Sequence, residues 1–284
     1  MKKHLCFVIF LVISNVFMQS RAKADLTENM ILQASHIQGL EFPDCPVEGN
    51  ATDSSVKANL AKGDAFVPVT AHIVITPREA AQKGLDYLIP AALSWQNTNN
   101  CFGCHVQTFA IVGGAIGKQN GFQVNETILN SLVSGMVNLV RGQKSDGCFA
   151  RSASEINTTT QYALWAMGKY DELVSSNYRT PLNRAVDCLS GRRSNGGVIM
   201  ERLEPPVDQG NIMATANFII GTNRIYDVTG NTTYLSYMQQ GANWLRSQSV
   251  STTQDRVFMI LGLKASGASD SDPLIQSMIS SLKG

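Results

Sequence analysis

Residues 99–107 read N-N-C-F-G-C-H-V-Q, which sets Cys101, Cys104 and His105 in the order C-x-x-C-H. Two thiols at this spacing can both reach one edge of a porphyrin, each adding to a vinyl group. The adjacent imidazole then meets the iron from one face. Phe102 can pack on the macrocycle, and Gly103 allows the tight path between the thiols. The pattern predicts one covalent haem c, attached through Cys101 and Cys104, with His105 as an axial iron ligand. Three other chemistries use the same residues. A redox dithiol of thioredoxin type needs a βαβ context, which is not apparent here. A plain Cys101–Cys104 disulfide leaves His105 unexplained. A zinc site needs further ligands from His36, His72 or another cysteine.

The second axial position decides what such a haem does. A methionine or a second histidine gives a six-coordinate electron carrier, whereas an exchangeable position allows ligand binding or catalysis. His36 and His72 are the remaining histidines of the exported chain. Among the methionines, Met136, Met167 and Met213 are the distal candidates, with Met200, Met238 and Met259 also suitable by chemistry. Methionines in apolar helices more often fill gaps in a core.

The compartment agrees with haem attachment. Lys2 and Lys3 precede an apolar run from Leu5 to Phe17, and Ala22-Lys23-Ala24 gives a small-x-small pattern before Asp25. This reads as a signal peptide over 1–24, cleaved after Ala24, because the run is too short for a membrane span. The expected location is periplasmic or secreted, without a stable membrane span. The whole chain has 23 basic and 22 acidic residues. Residues 1–24 hold four of the basic and none of the acidic, leaving 19 against 22. That balance argues against nucleic acid and anionic membranes as partners. A redox protein or a small-molecule ligand is the expected partner, and the sequence leaves the oligomeric state open. Export also takes Cys6, so Cys45, Cys148 and Cys188 remain beside the haem motif, enough for one disulfide and one buried thiol.

The elements that must position this motif are helical. Residues 25–75 read as a mostly irregular arm with one short helix near 26–38. From residue 76 the helix signals are strong. Thr76-Pro77-Arg78-Glu79 is a capping box with proline at the first helical position. Ala81, Leu85, Leu88, Ala92 and Trp95 follow at spacings that form one helix face. Thr180-Pro181 and Asp272-Pro273 repeat the cap-then-proline signal. Trp95, Trp165 and Trp244 read as core anchors. Glu201, Glu204 and Asp208 read as a solvated acidic loop.

A longer period runs through residues 76–284. A small residue followed four later by Leu recurs at Gly84/Leu88, Gly135/Leu139, Ala185/Leu189 and Gly241/Leu245, in steps of 51, 50 and 56 residues. A polar turn and a second apolar helix follow each, near Phe109–Ile116, Gln161–Tyr170, Ala214–Tyr226 and Arg256–Ala265. These are about four helical hairpins, none of which buries its apolar face alone, so neighbours must stack. The turns are alike as well. Gln143, Gly147 and Phe149 form Q-x-x-x-G-x-aromatic. Gln96, Asn100 and Phe102 match it with Asn in the glycine slot, and Arg192, Gly196 and Val198 make a looser copy.

These turns resemble the Q-x-x-x-G-x-W repeats of the squalene-hopene cyclases and prenyltransferases, although no copy here carries the Trp. The resemblance implies an all-α fold, a partial α/α toroid, with the Gln and the aromatic ring tying one hairpin to the next. Four hairpins fall short of that family's closed ring. The family's chemistry does not carry over. The acidic D-x-D-D run is absent, and Asp270-Ser-Asp272 reads as a helix cap. Asp146-Gly147-Cys148 resembles the zinc turn of protein prenyltransferases, but no His follows His105 to complete it. The alignment puts Cys101 in the slot of Cys148, so the haem motif is built into one repeat turn. The expected function is that of an exported monohaem c-type cytochrome-like protein. The alternatives are an enzyme or sensor holding a small apolar or isoprenoid-like ligand in the toroid cavity, and a haem-free helical binding module.

Overall fold

The computed structural model describes residues 76–102, 104–150, 153–201 and 210–283. The signal sequence, the arm, His36, His72, Cys45, Glu204 and Asp208 lie outside the described residues. Among those described the chain is all-α, with nine α-helices and no strand. They are α1 Pro77–Asn99, α2 His105–Gln119, α3 Glu126–Asn138, α4 Ile156–Leu173, α5 Arg179–Ser190, α6 Asn211–Thr229, α7 Thr232–Arg246, α8 Thr253–Ala265 and α9 Pro273–Lys283.

Two kinds of helix alternate. Helices α1, α3, α5 and α7 each bury one stripe, such as Leu182, Ala185, Val186 and Leu189 of α5. Helices α4 and α6 are buried nearly all round; in α4 every residue from Asn157 to Asp171 is buried. The packing follows from that difference. The even helices form a continuous layer, α2 on α4, α4 on α6 and α6 on α8, and the amphipathic helices cover it. The layer curves. Trp165 of α4 meets Phe109 of α2 at 5.6 Å and Phe258 of α8 at 5.4 Å, both edge to face. Helix α5 packs on the buried helix before it, α4, as well as on the one after it, α6. The repeat expected from the sequence is therefore paired in both directions along the chain.

Local signals hold at most ends. Thr76 and Glu79 form both bonds of the capping box. Asp272 caps α9, its Oδ1 accepting from the amide N–H groups of Leu274 and Ile275. The Thr180-Pro181 reading differs from the structure. Ser175 caps a short 3-10 turn, Ser176–Tyr178, and α5 runs on from Arg179. Pro181 is tolerated there because the first turn of a helix leaves its N–H groups without intrahelical partners. The face of α1 is also turned slightly from the expected one, to Leu85, Ile89, Ala92 and Gln96.

Candidate functional site

The turns between helices share one construction, and the C-x-x-C-H motif is its first copy. The glycine slot has a positive φ in every copy: 45° at Asn100, 89° at Gly147 and 93° at Gly196. Asn is among the few side-chain-bearing residues that adopt this region readily. The backbone carbonyl of Arg184 on α5 presses on Gly147, and that of Gln240 on α7 presses on Gly196. The aromatic slot is fully buried, as Phe102, Phe149 and Val198. The Gln slot ties the turn to the next amphipathic helix. Gln143 Nε2 donates to the carbonyl of Pro181 at 2.7 Å and to that of Gly147 at 2.9 Å. Gln96 Nε2 donates to the carbonyl of Ser131 at 3.2 Å. In the third copy the tie is one residue later: Arg193 reaches the carbonyl of Tyr237 and stacks on its ring.

The slot after the glycine decides the cysteine chemistry. Cys148 there is joined by a disulfide to Cys188 of α5. In the third turn Gly197 lies against the indole of Trp244, which takes the place of Cys188 on α7. In the first turn the slot holds Cys101, whose thiol is free and 2 % exposed. The disulfide also removes Cys148 from any zinc turn, and Asp146 Oδ1 instead accepts from the backbone N–H of Cys148.

Cys104 and His105 open helix α2. Cys104 is the N-cap residue, with φ 47° and ψ −103°. A non-glycine residue held there costs on the order of 1–3 kcal/mol, so the surrounding packing must impose it. Cys104 and His105 are both half-buried. The Cys104 thiol lies 3.6 Å from Oγ1 of Thr159 on α4. Gln107 of α2 donates from Nε2 to the carbonyl of Cys101 at 3.2 Å. Thr108 donates to the carbonyl of Tyr162, so the first turn of α2 is fixed to α4.

The neighbouring helix starts complete this end of the molecule. Tyr162 lies one turn beyond Thr159 on α4. Its hydroxyl donates to Sδ of Met213 at 3.8 Å, and Gln254 Nε2 of α8 donates to the same sulfur at 3.4 Å. Cys104 and Met213 thus both contact α4, at Thr159 and Tyr162, and Met213 also meets α8. Met136 and Met167 are fully buried in the core, as are most of the methionines the sequence offered. Sequence reading missed Tyr162 and Gln254, since nothing in their spacing marks them. It also gave Glu201 to a solvated loop. Its carboxylate in fact caps α4, accepting from the amide N–H groups of Asn157 at 2.9 Å and Thr158 at 3.1 Å. No local signal marks it, since Glu201 and Asn157 lie 44 residues apart in sequence.

Does this set of residues fit a covalent haem? The donor chemistry does. One thiol is left out of the disulfide, a second, three residues on, is half-buried, and an imidazole follows on a fixed helix turn. Cys104 and His105 are each partly exposed. Cys101 and Phe102 are both buried.

A concavity lies at the other end of the buried layer. It has a volume of about 670 Å³ and is formed by the C-terminal halves of α2, α4, α6 and α8. The C-x-x-C-H motif and this cavity are therefore at opposite ends of the buried layer. No helix among the described residues is long and apolar enough to cross a membrane. Compared with protein-family models and with curated proteins, the chain matches none.

Proposed function

We propose that this chain is an exported monohaem c-type cytochrome-like protein whose haem-binding turn derives from a structural repeat turn. One observation carries the reading. Cys101 occupies the slot that holds a disulfide cysteine in the next repeat, yet its thiol remains free, with Cys104 and His105 directly after it. Haem bound there supplies one-electron chemistry at iron.

The chain's own residues have separable tasks. Cys101 and Cys104 provide the two thioether sulfurs. His105 provides the proximal imidazole. Gln107 and Thr108 hold the first turn of α2, and so His105, against α4. Phe102 and Phe149 form an apolar floor that keeps water from the turn. Among the methionines considered, Met213 is the first choice as distal ligand, because it lies in the first turn of α6, at the end of the buried layer where α2 begins. The partial toroid and the export route belong to the same proposal.

The test is a haem stain on a denaturing gel, with oxidised and reduced spectra, of protein exported from cells that mature c-type cytochromes. A stained band that disappears in Cys101→Ala/Cys104→Ala is the expected result. A colourless wild-type protein beside a correctly matured control cytochrome overturns the proposal. In stained protein, Met213→Leu is expected to convert a six-coordinate low-spin spectrum to a high-spin one. An unchanged spectrum removes Met213 and leaves the attachment standing.

A further inference from the structure

We infer that the cavity opposite the C-x-x-C-H motif is a binding site for a small amphipathic anion, one with an apolar body and a single acidic head group. The inference does not rest on the haem reading.

The volume of about 670 Å³ lies within the range of small-molecule sites. Trp165, Ile220 and Leu261 give it an apolar surface. Four cations also line it, one from each buried helix: Lys118, Lys169, Arg224 and Lys264. Two carboxylates, Glu172 and Asp227, face them. Each of the four cations is paired with a carboxylate, so what separates them is how far burial spends their remaining donors.

Helix electrostatics explain only part of this. Lys118 and Lys264 lie in the last turns of α2 and α8, where a cation complements the helix dipole. Their ion-pair partners, Glu126 and Asp270, are 58 % and 73 % exposed, so water screens both pairs. Arg224 shares the buried carboxylate of Asp171 with Arg179 and also lies in the field of Asp227, so it is already met by carboxylates.

Lys169 is the telling residue. It is not in the last turn of α4. Its side chain is only 8 % exposed, although it lines the cavity. Burying an ammonium is costly unless its donors are used. Glu172, on the same helix and itself 43 % exposed, accepts from it at 2.7 Å. An ammonium has three N–H groups and Glu172 takes one of them, so a ligand with an acceptor at this wall of the cavity can use the others. A carboxylate or phosphate head meets that need, and its apolar body covers Trp165. A wholly apolar ligand would leave those donors dry.

The test is isothermal titration of the full exported chain with four ten-carbon probes, each below its micelle concentration: decanoate, decyl phosphate, decanol and decyltrimethylammonium. Saturable binding of one or both anions is expected, at least tenfold tighter than decanol, with none of the cation. Decanoate alone would indicate a carboxylate ligand, and decyl phosphate alone a phosphate. Lys169→Met should weaken anion binding at least tenfold and Lys169→Arg should retain it, both with unchanged helical circular dichroism. Decanol binding as tightly as the anions overturns the inference. So does no saturable anion binding, or unchanged binding by a folded Lys169→Met. If Lys169→Met does not fold, the preference of wild type for anion over alcohol decides alone. Binding retained by Cys101→Ala/Cys104→Ala keeps this result separate from that of the haem test.

Discussion

Phe102 and Phe149 meet edge to face, their ring centroids 5.5 Å apart and their planes at 68°. They hold the same slot in successive turns, so the repeat in sequence becomes a direct contact in space. Both rings are fully buried. Phe102→Ala and Phe149→Ala should each lose about 3–5 kcal/mol in chemical denaturation. The double variant should lose less than the sum, because each single change already removes the shared edge-to-face contact. Strict additivity would show that the two turns are energetically separate.

The glycine slot gives a sharper contrast. Gly147 combines a φ of 89° with close approach of the Arg184 carbonyl, so Gly147→Ala must both strain the backbone and displace α5. Its cost should exceed the roughly 1–2 kcal/mol of the conformation alone. Asn100 has the same conformation at φ 45°. Asn100→Gly should stay within about 0.5 kcal/mol of wild type, while Asn100→Ala costs about 1 kcal/mol. Thermal melts of the three variants test the ordering.

The Cys148–Cys188 disulfide closes a segment of 40 residues and ties the second turn to α5. Cys188→Ser should cost about 2–4 kcal/mol, read as a lower denaturation midpoint under oxidising conditions. Haem stain through Cys101 and Cys104 should persist, since that turn has its own anchors in Gln96 and Gln107. Loss of stain in a folded Cys188→Ser protein would mean that the two turns mature together.

Acid should loosen the C-terminal helix. The bond from Arg246 holds the Asp272 carboxyl below its ordinary value of 3.8, helped by the amide N–H groups of Leu274 and Ile275. A carboxylate with a lowered folded pKa contributes stability above its unfolded pKa and loses it as pH falls through the folded one. Wild type should therefore melt above Asp272→Asn at neutral pH. The gap should close as the pH drops from near 3.8 downward. Hydrogen exchange over α9 reports the same change locally. A gap independent of pH would assign the effect to packing.

The sequence by itself determined the helical class, the helix ends with capping side chains, the turn repeat and the C-x-x-C-H triad. Each of these is a local property: a period, a cap or a spacing within a few residues. It also marked Asn100 as standing in a glycine slot, since the conformation required there is set by the turn alone. Only the tertiary structure decided that Cys148 takes Cys188 and leaves Cys101 with a free thiol, because pairing depends on which helix lies beside each turn. It likewise brought Tyr162, Met213 and Gln254 together from three helices, and turned Glu201 from a loop acid into the cap of α4. The cavity around Lys169 was equally hidden. Its lining comes from four helices spread along the chain, and burial of a lysine among them is a consequence of packing, which no local pattern records.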